Sequence, residues 1–534
     1  MTLATDIRFS DATTVLAMNG CWPLKPDHVH PIVSKLSFRY QEVAELERLV
    51  GQVQRCQDDE AFRQTPRNAE IRPLHGRLDE LERLLHTIKV DRQSDWQAAE
   101  RIAAFEKRLI QQGTGGSISA LYHELPQELR GAVELAYDSH NNPSLRLYEK
   151  MLYADGRYDA SRQGFRFFVK TNDAEYLPVR LPTPETEIAL RVPFDDARMD
   201  RLFSLDLKPR PREEVMDLLE LNSSKDPRLA RLFTDQPVRK PEPWTGTGPR
   251  VRYLGHACAL VEWKGISILI DPWIPCGSAV PGEPRYSFSD LPDRIDYVLI
   301  THGHDDHYEL SSLLRLRHRI GSLLVPKASG LLWDYSLKAV AQRIGFKHVV
   351  EVDAFDSFVP CPDMEITSIP FVGEHGELFC AKSCWLVRAG TEQIFFAADS
   401  KADDPHLYEN VRKITGDIQT VFIGTADMGV SVEAFYPFLF GWFEPGQQAA
   451  AWKEKYGSRL TDGSNAEQAW SVVKALGAKK VYVYALGLEP WFIGATRSHK
   501  YMLIAEAQKF IEIARHSGVA DARMLSGICD LSLT

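Results

Sequence analysis

The chain has 534 residues, 44% of them apolar and 25% charged, with a formal net charge of −10. This is globular composition on a length that suggests two to four domains at about 150 residues each, and it excludes wholesale disorder. The negative balance argues against general nucleic-acid binding and anionic membranes. No apolar run approaches the ~18 residues of a membrane span. The first 20 residues place Asp6 ahead of Arg8 with only a short apolar stretch at 15–18, so they are not a secretory signal. The eight cysteines form no CxxC pair, which reads as reduced, mostly buried thiols in a cytoplasmic protein.

In chain order, roughly the first 110 residues read as helical. Val43, Leu46, Val50 and Val53 repeat at helical spacing, as do Leu78, Leu81, Leu85 and Ile88, then Trp96, Ile102, Phe105 and Leu109. These stripes are core or dimer packing; no Gly-x-Gly-x-x-Gly or P-loop accompanies them, so no flavin or nicotinamide site is expected. Segments 165–169 and 187–192 look like strands. Residues 236–250, with four prolines and two glycines, read as a linker between an N-terminal domain (1–235) and a C-terminal one (251–534). Beyond it come short strands at 251–254, 259–263, 267–270, 297–300, 322–325, 364–369, 383–387, 393–397, 420–423 and 481–484. Helices are expected at 310–319, 331–343, 466–476 and 501–516, and Asp403-Asp404 reads as a helix start. The fold class is α+β: a C-terminal αββα sandwich preceded by a mixed, largely helical N-terminal domain.

The informative segment is Thr301-His302-Gly303-His304-Asp305-Asp306-His307, directly after an apolar strand. Side chains two apart in extended chain share a side, so His302 and His304 can share one ion. Asp306 and His307, where the chain turns toward the helix at Leu310, are placed to hold a second beside it.

This pattern resembles the His-x-His-x-Asp-His signature of the metallo-β-lactamase fold, a resemblance running from about residue 251 to the end. Tyr253-Leu254-Gly255-His256 and Asp271-Pro272 resemble the first hairpin of its lactonase and phospholipase branch, where His256 and Asp271 are structural residues or partners of ligands. The fold implies a ligand after strand 364–369, where Glu374 and His375 are available, and a bridging Asp after 393–397, which Asp399 fits. It also implies a late-strand His, but strand 480–484 runs into Ala485-Leu486-Gly487; His499 lies beyond and reads as part of the terminal helix. With Glu374 as the ligand, three histidines and three carboxylates suit iron or manganese better than an imidazole-rich zinc set would, and the absent His leaves positions open for O₂.

A dinuclear site of this kind behind a large N-terminal domain closely resembles the β-hydroxylases of nonribosomal-peptide and chloramphenicol-type antibiotic pathways. That resemblance implies two Fe ions, oxo-bridged when oxidised, on His302, His304, Asp306, His307, Glu374 and Asp399, with Glu374 and Asp399 as the catalytic carboxylates and Glu374 as a gate. It implies O₂ as co-substrate, an external electron donor, and β-hydroxylation of an amino acid tethered as a thioester to the carrier domain of a nonribosomal peptide synthetase. The N-terminal domain would serve homodimer formation, carrier docking or both. The alternative is a zinc-dependent hydrolase of the same fold, a lactonase, phosphodiesterase or thioesterase; a scaffold with a relict metal site is a third reading. Residues 433–444, with Phe435, Tyr436, Phe438, Phe440, Trp442 and Phe443, either wall a substrate pocket or pack a core. Arg315, Arg317, His318 and Arg319 read as a solvated helix face, or as a basic patch for an acidic carrier.

Overall fold

The structure is a computed structural model that describes residues 5–20, 28–65, 71–154, 156–170, 179, 181–223, 225–276, 284–373, 380–427, 463–489, 491–492 and 500–533. Two seven-stranded sheets lie face to face. The first has the order β14-β13-β12-β11-β10-β9-β22 and the second β15-β16-β17-β18-β19-β20-β21. Their strands are β9 Arg250–Gly255, β10 Cys258–Trp263, β11 Ile266–Ile270, β12 Ile295–Leu299, β13 Ile320–Pro326, β14 Val349–Val352, β15 Ser357–Cys361, β16 Met364–Ile369, β17 Cys384–Ala389, β18 Glu392–Phe396, β19 Thr420–Ile423, β20 Lys480–Val483, β21 Asp521–Met524 and β22 Cys529–Ser532. In each sheet an antiparallel flank gives way to a parallel one: β9–β10–β11 then β11 to β14, and β15 to β18 then β18 to β21.

Alternation along the strands sorts side chains between layers. In β11, Ile268 and Ile270 face the other sheet while Leu269 faces outward; in β18, Ile394 and Phe396 face inward and Phe395 outward. Helices Pro405–Thr415, Ala466–Leu476 and Lys500–His516 flank the second sheet, with Tyr408, Val411, Val472, Val473, Ala507 and Phe510 in its outer core. This is the αββα sandwich. Strands come as runs apolar on both faces because both faces are covered. Among the described residues no helix is long and apolar enough to cross a membrane.

The outer face of the first sheet is shared. Val15, Ala17, Phe165, Phe167, Ile188 and Leu190 from the N-terminal part join Leu260, Leu269, Val298, Leu313 and Leu323 in one buried cluster. The N-terminal part carries the three expected helices, Val43–Asp58, Leu78–Asp91 and Gln93–Gln112, but it is not helical from the start. Strands β1 Asp6–Phe9 and β2 Thr13–Met18 precede them, and β3 Val133–Tyr137 with β4 Pro143–Leu147 form a hairpin that the sequence did not announce. β2 pairs with β5 Gly164–Val169, which pairs with β6 Ile188–Arg191.

Three expectations are corrected. The basic run is neither solvated nor a patch: Arg315 is 2% exposed and pairs with Asp206 at 2.7 Å, Arg317 is buried against Asp200, and Arg319 donates to Phe288 O at 3.0 Å. Guanidinium groups on the helix Leu310–Leu316 and the turn after it tie the N-terminal part to the first sheet, since a charge taken out of water must find a partner. The helix expected at 331–343 starts at Leu337, because Leu331 bridges to Arg146 of β4. Only Cys56, Cys258 and Cys384 of the seven described cysteines are buried, and Cys380 is exposed; all seven are free thiols.

Candidate metal centre

The site lies where the parallel flanks begin, at the carboxyl ends of β11, β12 and β18. Asp271 closes β11 and is fully buried. Its Oδ1 accepts from Thr301 N at 2.8 Å; its Oδ2 accepts from Thr301 Oγ1 at 2.6 Å and from His307 Nδ1 at 2.8 Å. A carboxylate only accepts, so His307 carries its proton on Nδ1 and turns the Nε2 lone pair into the site. The Thr301 hydroxyl has given its hydrogen to Asp271, so it accepts from His302 Nδ1 at 2.9 Å, and the Nε2 lone pair of His302 also faces inward. That nitrogen lies 3.1 Å from His304 Nδ1.

The second sheet answers with Asp399, just past β18. Asp399 Oδ2 stands 3.0 Å from His307 Nε2 and 3.9 Å from His302 Nε2, between the two halves of the loop. Ala398 holds it in place from a left-handed backbone (φ 47°), its N–H donating to Tyr484 Oη at 3.0 Å and its carbonyl accepting from Gly424 N at 2.8 Å. Gly424 has no room for a side chain: a Cβ there would sit 2.9 Å from Ala398 O and 3.0 Å from Asp399 Oδ1. His256 (φ 50°), Asp271 (φ 40°) and Ala485 (φ 57°) share that unfavourable backbone, so strained residues rim the site at four chain positions. The sheets are stitched beneath it by Trp385 Nε1 to Ile300 O at 3.0 Å and Ser383 N to Thr301 O at 2.8 Å.

The donor set fits a cation. His307 Nε2 is buried with no hydrogen-bond partner among the described residues and has carboxylate oxygens at 3.0 and 3.9 Å. Burial works against a charge on His307, but Asp399, Asp306 and Asp271 overcome it and hold its pKa well above the usual range. Burial would raise Asp306, yet His307, His256 and His304 hold it well below the usual carboxylate range. The site stores positive charge, as a proton or as an ion, and an ion must expel the proton on binding. Two triads have donor atoms within 4.8 Å of one another: His302–His307–Asp399 and His256–Asp306–His307.

Comparison with known proteins extends the geometry. A family model described as the diiron non-heme β-hydroxylase N-terminal domain matches residues 71–237, and one described as a β-lactamase superfamily domain matches 250–394. The 4-amino-L-phenylalanyl-[CmlP-peptidyl-carrier-protein] 3-hydroxylase of Streptomyces venezuelae is 36% identical over 403 residues, 73% of this chain and 74% of that protein. This chain belongs to the diiron non-haem β-hydroxylases. The crystal structure of CmlA, a diiron β-hydroxylase from Streptomyces venezuelae, matches this hydroxylase with a TM-score of 0.82 at 28% identity, over 99% of this chain and 100% of that one. A variant of CmlA matches with 0.83 at 29%. A metal-dependent hydrolase of Methanopyrus kandleri is 34% identical over 123 residues, but these are 23% of this chain and 46% of that protein. The hydrolase alternative thus has support only within the sandwich, while the hydroxylase match runs through the N-terminal part as well.

In this hydroxylase the structure brings His302, His304, Asp306, His307 and Asp399 together. Glu374, His375, His499 and the aromatic segment 433–444 lie outside the described residues. Asp271 accepts from Thr301 and His307. Thr301 was missed, although its place directly before His302 is the signal: only a hydroxyl can donate to Asp271 and accept from His302 at once. His256 Nε2 stands 3.1 Å from Asp306 Oδ2.

Proposed function

We propose that this hydroxylase inserts one oxygen atom at the β-carbon of an amino acid held as a thioester on a carrier domain. His302, His304, Asp306, His307, Glu374 and Asp399 would hold two iron ions, and an external donor would supply electrons. The observation that carries this reading is Asp399 Oδ2 standing between His307 Nε2 and His302 Nε2, one carboxylate shared by two sets of nitrogen donors. The named activity of the Streptomyces venezuelae relative, which acts on a carrier-bound aminoacyl group, supports the substrate class. For Glu374, support comes from its neighbour: Val372 O accepts from Lys401 N at 2.7 Å, so Gly373 lies against Lys401, two residues from Asp399.

When bound, the iron pair supplies the redox chemistry, by which O₂ takes two external electrons and two protons, one oxygen atom enters the Cβ–H bond and the other leaves as water. The chain's own part is positional. Asp271 and Thr301 hold the imidazole tautomers so that lone pairs rather than N–H groups face the site. The left-handed turn at Ala398 and the bare backbone of Gly424 set the reach of Asp399. The fully buried His302 and His307 keep bulk water from one side of the centre. We assign residues 1–235 to dimer formation or carrier docking, 236–250 to a linker and 251–534 to the catalytic unit, in a cytoplasmic homodimer.

The test is to incubate the iron-loaded, reduced protein and O₂ with a panel of aminoacyl-loaded carrier domains and read the products by mass spectrometry. A gain of one oxygen on the aminoacyl group is expected. Thioester hydrolysis with no oxygen gain on any carrier would contradict the reading.

A further inference from the structure

The late strand β20 delivers no imidazole: Tyr484 spends its hydroxyl on Ala398 N, and Ala485 has no donor side chain. The half of the site that holds Asp306 and His307 therefore lacks the nitrogen ligand that position would supply. An imidazole nevertheless reaches it from another direction. His256, at the turn between β9 and β10, is 5% exposed, and neither of its ring nitrogens has a hydrogen-bond partner among the described residues. Its Nε2 lies 3.1 Å from Asp306 Oδ2, the oxygen that also faces His307 Nε2 at 3.9 Å. His256, Asp306 and His307 bring donor atoms within 4.8 Å of one another. Two donors about 2.1 Å from one ion and at right angles to each other stand about 3 Å apart. His302 Nε2 and His304 Nδ1 at 3.1 Å, and His307 Nε2 and Asp399 Oδ2 at 3.0 Å, have the same spacing.

We propose that His256 is a ligand of the second iron, an imidazole from the first hairpin in place of the one a late strand would carry. The local backbone is built to present it. Gly255 (φ 117°) and His256 (φ 50°) both adopt left-handed backbone, and Gly255 has no room for a side chain against Phe492 and Trp491. The carbonyl of His256 accepts from Ala485 N at 2.8 Å. The buried Glu489 takes the hydroxyl of Tyr253 two residues before Gly255. Trp273 and Phe492 wall the ring, each with its centroid 5.8 Å away. A left-handed backbone held by Ala485, with two buried nitrogens unsatisfied among the described residues, is explained by a ligand role and not by packing alone.

This assignment rests on the dinuclear reading, and its test separates the two. Full-length wild type, His256→Ala and His256→Asn are titrated anaerobically with ferrous iron, and bound iron is followed by absorption and Mössbauer spectroscopy. Wild type takes up two irons. His256→Ala keeps the site of His302 and His304 but binds the second iron at least ~100-fold more weakly, and imidazole added to the buffer restores it. His256→Asn, which retains a hydrogen-bond donor for Asp306 but no imidazole lone pair, behaves like His256→Ala. Two irons bound with wild-type affinity and spectrum in either variant would overturn the assignment; recovery in His256→Asn alone would do so by making a hydrogen bond to Asp306 sufficient. A wild-type chain that binds only one iron would remove the dinuclear reading, and this ligand with it.

Discussion

The first sheet delivers His302, His304, Asp306 and His307 on one loop after β12, braced by Asp271. The second sheet, among the described residues, delivers Asp399 alone, on a strained turn after β18. The loop is local: its geometry follows from seven consecutive residues and one buried carboxylate. Asp399 is not local, because its distance to His307 depends on how the sandwich closes, through Trp385 to Ile300 and Ser383 to Thr301. On the proposed assignment, a carboxylate shared by two irons makes the dinuclear state conditional on the whole fold being closed.

The comparison breaks most completely at Asp399. Asp399→Ala should lose the iron pair and reduce hydroxylation by far more than the ~100-fold that removing a ligand's partner costs, with iron content and turnover as the measures. Asp271→Asn should be milder. The donors remain, but one of the two acceptor oxygens becomes an NH2 donor, so Thr301 and His307 can no longer both be held, and iron affinity should fall about 10- to 100-fold in a ferrous titration. Gly424→Ala, which crowds Ala398 O and Asp399 Oδ1, should weaken the shared position without touching the loop; retained affinity for the first iron alongside a weaker second one checks it.

Smaller effects on the centre sharpen the contrast with the N-terminal part. Arg315→Met leaves Asp206 buried and unpaired, so stability should fall by about 3 kcal/mol in urea while iron affinity is unchanged. Adding Asp206→Leu should recover most of the loss. The smallest effect is on pH dependence. His30 is fully buried and faces Glu149 at 3.7 Å, and its Nδ1 accepts from Ile32 N and Val33 N, which puts its proton on the Glu149 side. Burial raises Glu149 from 4.5 to about 7, and burial, then His28 and Lys35, lower His30 from 6.5 to about 3. The folded chain keeps a proton on Glu149 that the unfolded chain releases, so that term falls as pH rises from 4.5 to about 7. His30 refuses a proton the unfolded chain takes up, so its term rises with pH from about 3 to 6.5. Between 4.5 and 6.5 the two oppose each other. Urea midpoints should therefore be nearly flat there in wild type, fall with pH in His30→Asn and rise in Glu149→Gln, by about 2–3 kcal/mol across the window.

The sequence was legible where chemistry is written in neighbouring residues. His302 to His307 declared itself by spacing, Asp399 by the resemblance to the metallo-β-lactamase fold, and most strands of the sandwich by doubly buried apolar runs. The misreadings share a cause. Arg315, Arg317 and Arg319 look like a solvated face because one-dimensional pattern shows charge but not the Asp206 and Asp200 that arrive from more than a hundred residues away. β1 and β2 are short, and a strand that is half of someone else's sheet carries little periodicity of its own. The helix before Arg343 starts late because Leu331 is claimed by β4.

The most direct measurement is iron K-edge X-ray absorption on the iron-loaded wild type beside Asp399→Ala. An iron–iron vector in wild type that disappears in the variant is the result expected from one carboxylate shared across the two sheets. Two bound irons without such a vector, or a vector that survives the substitution, would contradict it.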